Sequence, residues 1–166
     1  MSDSLPDPDR LIDALVAQMR GRIAPDAGLV GIYTGGAWVA ERLHAALGLA
    51  TPLGYLAVTL HRDDYGRIGL HREVRASQIP FDVDGREVVI VDDVLHTGRT
   101  VRAALNEIFD FGRPRAVRLA VLADRGGREL PVGADFTGTV VEAKPGEELV
   151  LSHDNGRLAF SLKGRP

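Results

Sequence analysis

The sequence of 166 residues predicts an α/β domain: an open, mostly parallel sheet flanked by helices. Three observations carry that expectation. Val88-Val89-Ile90-Val91 is a near-continuous apolar run, the pattern of a strand covered on both faces. Leu29-Val30-Gly31-Ile32-Tyr33 is a second such run, and it enters Thr34-Gly35-Gly36 and a helix-spaced stretch, the opening half of a strand–helix–strand unit. Strand-like and helix-like segments then alternate along the chain.

Asp7 before Pro8 reads as an N-cap and first-turn pair. Leu11, Ile12, Leu15, Val16, Met19 and Ile23 follow at helical spacing, and Pro25 is expected to end the run. Behind Thr34-Gly35-Gly36, a second helix carries Val39, Ala40, Leu43 and Leu47 on one face, with Gly48 past its end. Residues 53–60 read as a strand. From His61 to Pro80 charges and glycine replace the pattern, which predicts a functional loop or hairpin. The strand at 88–91 is expected to end in Asp92-Asp93. A helix bearing Val101, Ala104, Leu105, Ile108 and Phe109 stops near Gly112-Arg113-Pro114, residues 116–123 form another strand, and 136–162 read as short strands with turns at Pro145-Gly146 and Asn155-Gly156.

The length fits one domain spanning 1–166. With no cysteine, disulfide frameworks, zinc ribbons, iron–sulfur clusters and thiol nucleophiles are excluded. No run approaches the ~18 apolar residues of a membrane span. Met1 to Arg10 is polar, with Asp3, Asp7 and Asp9, unlike a secretory leader, so a cytoplasmic setting without membrane contact is expected. The net charge of −3 does not indicate bulk attraction to nucleic acid. Of the 20 basic side chains all but Lys144 and Lys163 are arginine, which fits a genomic codon bias or a demand for guanidinium forks.

In an open α/β sheet, ligands bind beyond the carboxyl ends of the strands. Asp92 through Thr100 is placed there. Thr97, Gly98 and Thr100 form the turn into a helix, whose unpaired N–H groups and partial positive charge suit a phosphate. Each charge-assisted hydrogen bond there contributes about 1.5–3 kcal/mol. Two acids beside a phosphate repel it unless a ribose diol or a bound Mg²⁺ turns them to use. In isolation an Asp-Asp pair is most simply a solvated strand end. Joined to the apolar strand and the Thr-Gly-Arg-Thr turn, it reads as a sugar-phosphate cradle. The segment is neither a Walker loop nor G-x-G-x-x-G. A receiver-type acid pocket would need a following lysine, for which only Lys144 is at hand.

Residues 88–100, Val-Val-Ile-Val-Asp-Asp-Val-Leu-His-Thr-Gly-Arg-Thr, resemble the phosphoribosyl-pyrophosphate (PRPP) motif of type I phosphoribosyltransferases. Thr59-Leu60-His61-Arg62-Asp63-Asp64, Ile79-Pro80, Gly112-Arg113-Pro114 and Leu119 to Pro131 extend the likeness, in order and spacing, to the PyrR family over roughly residues 7–160. Those proteins are pyrimidine-operon attenuation regulators that are also uracil phosphoribosyltransferases. The resemblance implies a type I phosphoribosyltransferase fold with a flexible lid at about 61–78 and a small hood at about 125–145. It implies uracil + PRPP → UMP + pyrophosphate with Mg²⁺, and a homo-oligomer.

By position, the resemblance assigns Asp92 and Asp93 to the ribose hydroxyls and, through water or ribose, to the metal. Val94, Leu95, His96, Thr97, Gly98, Arg99 and Thr100 fall to the 5′-phosphate. Thr34, Gly35 and Gly36 would receive pyrophosphate, Arg62 and Asp63 would sit in the lid, and Asp124 and Arg125 would belong to the base hood. His96 can also take the proton that uracil N1 loses, since imidazole ordinarily titrates near neutrality; alternatively it only flanks the loop. Asp92, Asp93 and His96 are thus the candidate catalytic residues.

Two departures matter. Gly35 stands where many members have arginine, so the pyrophosphate loop lacks one guanidinium fork and weaker PRPP binding is expected. RNA-binding members read D-R-G-H-R-E-L-P-I-R-A-D-Y-x-G-K from the position of Asp124. This chain has Gly127, Gly133 and Thr139 at the His, second Arg and Lys positions and keeps only Arg128 as an RNA-binding candidate. Losing cations from a phosphate-facing surface weakens RNA binding and flattens its salt dependence. The competing expectations are a nucleotide-sensing regulator with negligible turnover and a transferase for another base.

Overall fold

The computed structural model describes residues 4–58 and 76–164. Helix α1 (Pro8–Met19) starts as expected: the Asp7 carboxylate accepts a hydrogen bond from Asp9 N–H, and Pro8 opens the first turn. It stops before Ile23, because Arg20 turns extended (ψ 121°) and Gly21 adopts φ +78°. Ile23 still packs against the core from beyond the helix. Strand β1 (Gly28–Ile32) is wholly buried and leads into α2 (Gly35–Leu47), closed by Gly48. Strand β2 (Gly54–Leu56) covers the middle of the predicted 53–60. Strand β3 (Glu87–Leu95) precedes helix α3 (Arg99–Phe111); then come β4 (Ala116–Asp124) and β5 (Phe136–Val140). Strands β6 (Glu147–Asp154) and β7 (Arg157–Gly164) form an antiparallel hairpin. Its turn, Asn155 (φ 49°) and Gly156 (φ 77°), has the two left-handed residues that match strand twist.

The main sheet has the order β2-β1-β3-β4-β5, and every pairing in it is parallel. Alternate residues of β3 serve the two faces. Val89 and Val91 join Leu15 and Met19 of α1, Val39 and Leu43 of α2, and Leu151 and Phe160 of the hairpin. Val88 and Ile90 join Val101, Ala104 and Ile108 of α3. Both faces are therefore covered, as the apolar run predicts.

Strand β3 does not end at the two acids. Its ladder with β4 continues through Val94↔Ala123 and Leu95↔Asp124 because Leu95, only 2 % exposed, extends the core. Both flanks of the sheet are blunted. Tyr55 of β2 exchanges backbone hydrogen bonds with Gln78 (2.7 and 2.8 Å). On the other side the Gln18 amide donates to Thr137 O (2.9 Å) and accepts from Thr137 N–H (3.4 Å) on β5.

Of the expected lid at about 61–78, residues 61–75 lie outside the described residues; at its end Gln78 bridges to Tyr55 of β2 and Ser77 Oγ accepts from Ala57 N–H at 2.9 Å. Within the segment expected as a hood, about 125–145, residues 136–140 form β5 of the main sheet.

Candidate active site

The strand order reverses between β1 and β3: β2 lies on one side of β1, and β3, β4 and β5 continue on the other. Neighbouring parallel strands whose following helices cover opposite faces leave a crevice at their carboxyl ends. Into it run the two segments singled out from the sequence, Thr34–Gly36 after β1 and Asp92–Thr100 at the end of β3. Because β1 and β3 are parallel neighbours, α2 and α3 both present their positive N-terminal ends at this edge.

Thr34 is exposed and occupies the N-cap position of α2, behind a cis Tyr33–Thr34 peptide. The Tyr33 ring stacks on Tyr55, with centroids 5.2 Å apart. Burial, aided by the hydrogen bond its hydroxyl donates to Glu41, pushes the Tyr55 phenol up to about 12, so it stays protonated. Gly35 and Gly36 let α2 press directly on β3. A Cβ on Gly36 would lie 2.5 Å from Val91 O and 3.0 Å from Asp92 Cα. A Cβ on Gly35 would run into the Asp93 carboxylate. The space of the missing arginine is thus partly taken, and any side chain at 35 must first displace Asp93.

Asp92 is 5 % exposed and its Oδ1 accepts from Asp93 N–H (2.9 Å); the Asp93 Oδ1 accepts from Val94 N–H (2.8 Å). Both carboxyls border the first turn of α2, whose partial positive charge eases their mutual repulsion. Leu95 lends only backbone: its side chain is buried, and its carbonyl accepts from Arg125 N–H (3.0 Å). Thr97 Oγ1 accepts from Arg99 N–H (3.2 Å), and Gly98 turns the chain into α3 with φ +93°. Arg99 is exposed and meets Glu129 at 3.4 Å, a solvated pair worth under about 1 kcal/mol. Thr100 is half-buried in the first turn of α3. Arg62 and Asp63 lie outside the described residues.

The sequence did not reveal how closely residues 125–132 are laced to this loop. Glu129 and Leu130 both donate backbone N–H to Thr97 O, at 2.9 and 3.1 Å. His96 Nδ1 lies 2.8 Å from Gly126 O. A carbonyl can only accept, so Nδ1 carries the hydrogen and the neutral ring keeps its lone pair on Nε2. Gly127 has no Cβ because the imidazole is there: an added carbon would lie 2.6 Å from Cε1. Arg128, the RNA-binding candidate, turns inward and bonds Asp124, His96 O and Val132 O. Asp124 ends a strand and residues 125–128 are irregular, so no spacing rule signals this pair in the sequence. Arg125 donates to Glu147 O (2.8 Å), tying the hood to the hairpin.

Among the described residues no group of three or more His, Asp and Glu side chains could cage a metal. Two carboxylates at a phosphate cradle nevertheless fit the usual manner of holding Mg²⁺, few protein oxygens with water and substrate phosphates completing the octahedron. None of the described helices is long and apolar enough to cross a membrane.

Comparison with known proteins gives this geometry a lineage. Residues 9–147 match the phosphoribosyl transferase domain family. Among solved structures, a purine phosphoribosyltransferase from Pyrococcus horikoshii superposes with a TM-score of 0.61 at 31 % identity, covering 81 % of this chain and 82 % of that one. A hypoxanthine-guanine phosphoribosyltransferase from Bacillus anthracis superposes with a TM-score of 0.67 at 16 % identity, covering 85 % of each chain, and shares the fold. Proteins called "Bifunctional protein PyrR" are closer in sequence. That of Ralstonia nicotianae is 49 % identical over 89 % of this chain and 87 % of its own length. That of Nitrosococcus oceani is 52 % identical over 81 % of this chain and 77 % of its own. The chain therefore belongs to the PyrR family of phosphoribosyltransferases.

Proposed function

We propose that the chain transfers the phosphoribosyl group of PRPP, brought as its magnesium complex, to N1 of uracil, forming UMP and pyrophosphate. One observation carries this reading: an acid pair and a hydroxyl-rich helix entry follow one strand at the switch point of a parallel sheet. Asp92 and Asp93 accept from the ribose hydroxyls. Thr97, Thr100 and the amides of the turn from 97 to 100 hold the phosphate. The turn at Thr34–Gly36 receives the pyrophosphate through its backbone. As the C1′–oxygen bond to pyrophosphate breaks, uracil N1 gives up its proton and closes the new C1′–N bond. Magnesium, when bound with PRPP, offsets charge on the departing pyrophosphate.

His96 takes the N1 proton in this scheme. Its Nδ1–H is committed to Gly126 O, so the free lone pair sits on Nε2. In His96→Phe, kcat is expected to drop about 10²-fold and the shape of the pH–rate profile to change. A pH–rate profile of unchanged shape in the variant would remove the role.

Uracil is favoured over purines by the PyrR relatives, against the purine enzyme named among the structural neighbours. The regulatory half of the family's role, binding of pyrimidine-operon leader RNA, is weakened by Gly127, Gly133 and Thr139 and by the inward turn of Arg128. The deciding experiment supplies PRPP and magnesium with uracil, orotate, hypoxanthine or adenine and follows pyrophosphate release, beside a salt-dependent titration with leader RNA. Turnover with uracil alone, and RNA binding that is weak with a shallow salt slope, is the expected result. Tight, steeply salt-dependent RNA binding without turnover would make the chain a sensor instead.

A further inference from the structure

We propose that Arg128 is a positioning residue for the pyrimidine site, the hub that holds the hood loop in register with the phosphate loop; this rests on the transferase reading above. The hood spans 125–135, between the end of β4 and the start of β5. Its far end is fixed by Asp135, which exchanges two hydrogen bonds of 2.8 Å with Leu119. Its near end and middle are held by backbone bonds of Arg125, Glu129 and Leu130 to the phosphate loop, by the His96 contact with Gly126 O, and by one guanidinium that bonds three pieces of chain at once. Arg128 Nη1 and Nη2 meet the two Asp124 oxygens at 2.9 and 2.6 Å, a bidentate fork on the last residue of β4. Nη1 also donates to His96 O (3.0 Å), and Nε donates to Val132 O (2.9 Å). One planar group thus joins three pieces of chain: the end of the β4 strand, the phosphate loop and the hood itself.

The phosphate loop does not depend on that group in the same way. It is held from behind by the β3–β4 ladder through Leu95 and from ahead by α3. The hood has no ladder between Arg125 and Asp135. Removing the guanidinium therefore loosens the base side and spares the phosphate side. The same bonds take four of the five guanidinium N–H groups, so the side chain has little left to offer an RNA phosphate. The Asp124 carboxyl agrees. The hydrogen bond from Arg128 is the main cause holding it below the usual carboxylate range, with Gly126 N–H and the guanidinium charge adding to it against burial. A carboxyl depressed in this way stabilises the fold at neutral pH, and that contribution is lost only as pH falls through its lowered pKa.

The test uses Arg128→Ala and Arg128→Lys in the full chain, with Asp124→Asn as the milder break should Arg128→Ala not fold. An ammonium cannot span Asp124, His96 O and Val132 O together, so lysine is expected to restore only part of the effect. In Arg128→Ala the KM for uracil is expected to rise about tenfold while the KM for PRPP stays within about threefold. The amides of Glu129 and Leu130, which bond Thr97 O, should exchange faster by hydrogen-exchange mass spectrometry while those of β3 and β4 keep their protection. If the unmodified chain makes no UMP, the transferase reading fails, and the exchange pattern alone decides the role of Arg128. Unchanged exchange in the hood, or a KM for PRPP that rises as much as that for uracil, would overturn the proposal; so would a loss of RNA affinity with the uracil KM intact.

Discussion

Asp93→Asn and Asp92→Asn each lower kcat/KM for UMP formation by about 10²-fold or more while leaving the melting temperature unchanged. The two halves of this expectation come from the same geometry. Asparagine keeps one acceptor oxygen, so Asp92 can still receive Asp93 N–H and Asp93 can still receive Val94 N–H. What disappears is one negative charge, which the proposed reaction uses toward the ribose diol and the magnesium complex of PRPP. Both backbone hydrogen bonds survive the change, so folding is expected not to suffer. Steady-state rates paired with thermal denaturation check the prediction. Activity and stability falling together would reassign the acids to a structural role.

Gly36→Ala has the second large effect, for a different reason. The added carbon meets Val91 O at 2.5 Å and Asp92 Cα at 3.0 Å, both parts of the β3 main chain. No rotamer change relieves that contact, so α2 must lift from the sheet. Overpacking of this kind costs about 1–3 kcal/mol, which for a domain of this size lowers the melting temperature by roughly 2–10 °C. The same displacement carries Thr34 and Gly35 away from Asp93, so the KM for PRPP rises about tenfold or more. Gly133→Ala is the matched control. Nothing lies within 4 Å of its added carbon, and both quantities should stay at their unmodified values.

The contrast between those two glycines marks what the sequence made legible. Features written in neighbouring residues were readable: the Asp7-Pro8 helix start, the double-faced strand at 88–91, the Asn155-Gly156 turn, and the turn into a helix at Thr97–Thr100. Gly36 was assigned to a ligand loop, but its contact with Val91 depends on β1 and β3 being neighbours, which no local pattern encodes. Arg128 is the clearer case. Its partners at 96, 124 and 132 include two main-chain carbonyls, and a side chain bonding to a carbonyl leaves no residue-type signature at the other end. The extension of β3 to Leu95 was hidden because Asp92-Asp93 looks like a strand end, whereas the pairing with β4 carries the backbone through it. The bonds of Arg128 to Asp124 and to the carbonyls of His96 and Val132 are therefore visible only in the fold.

The glutamine amide on Thr137 and the backbone exchange between Tyr55 and Gln78 bear on how copies of this chain can assemble. Strands that already satisfy their outward groups make poor templates for a further strand. At Tyr55 and Thr137 a strand added to the main sheet would first have to displace Gln78 or Gln18.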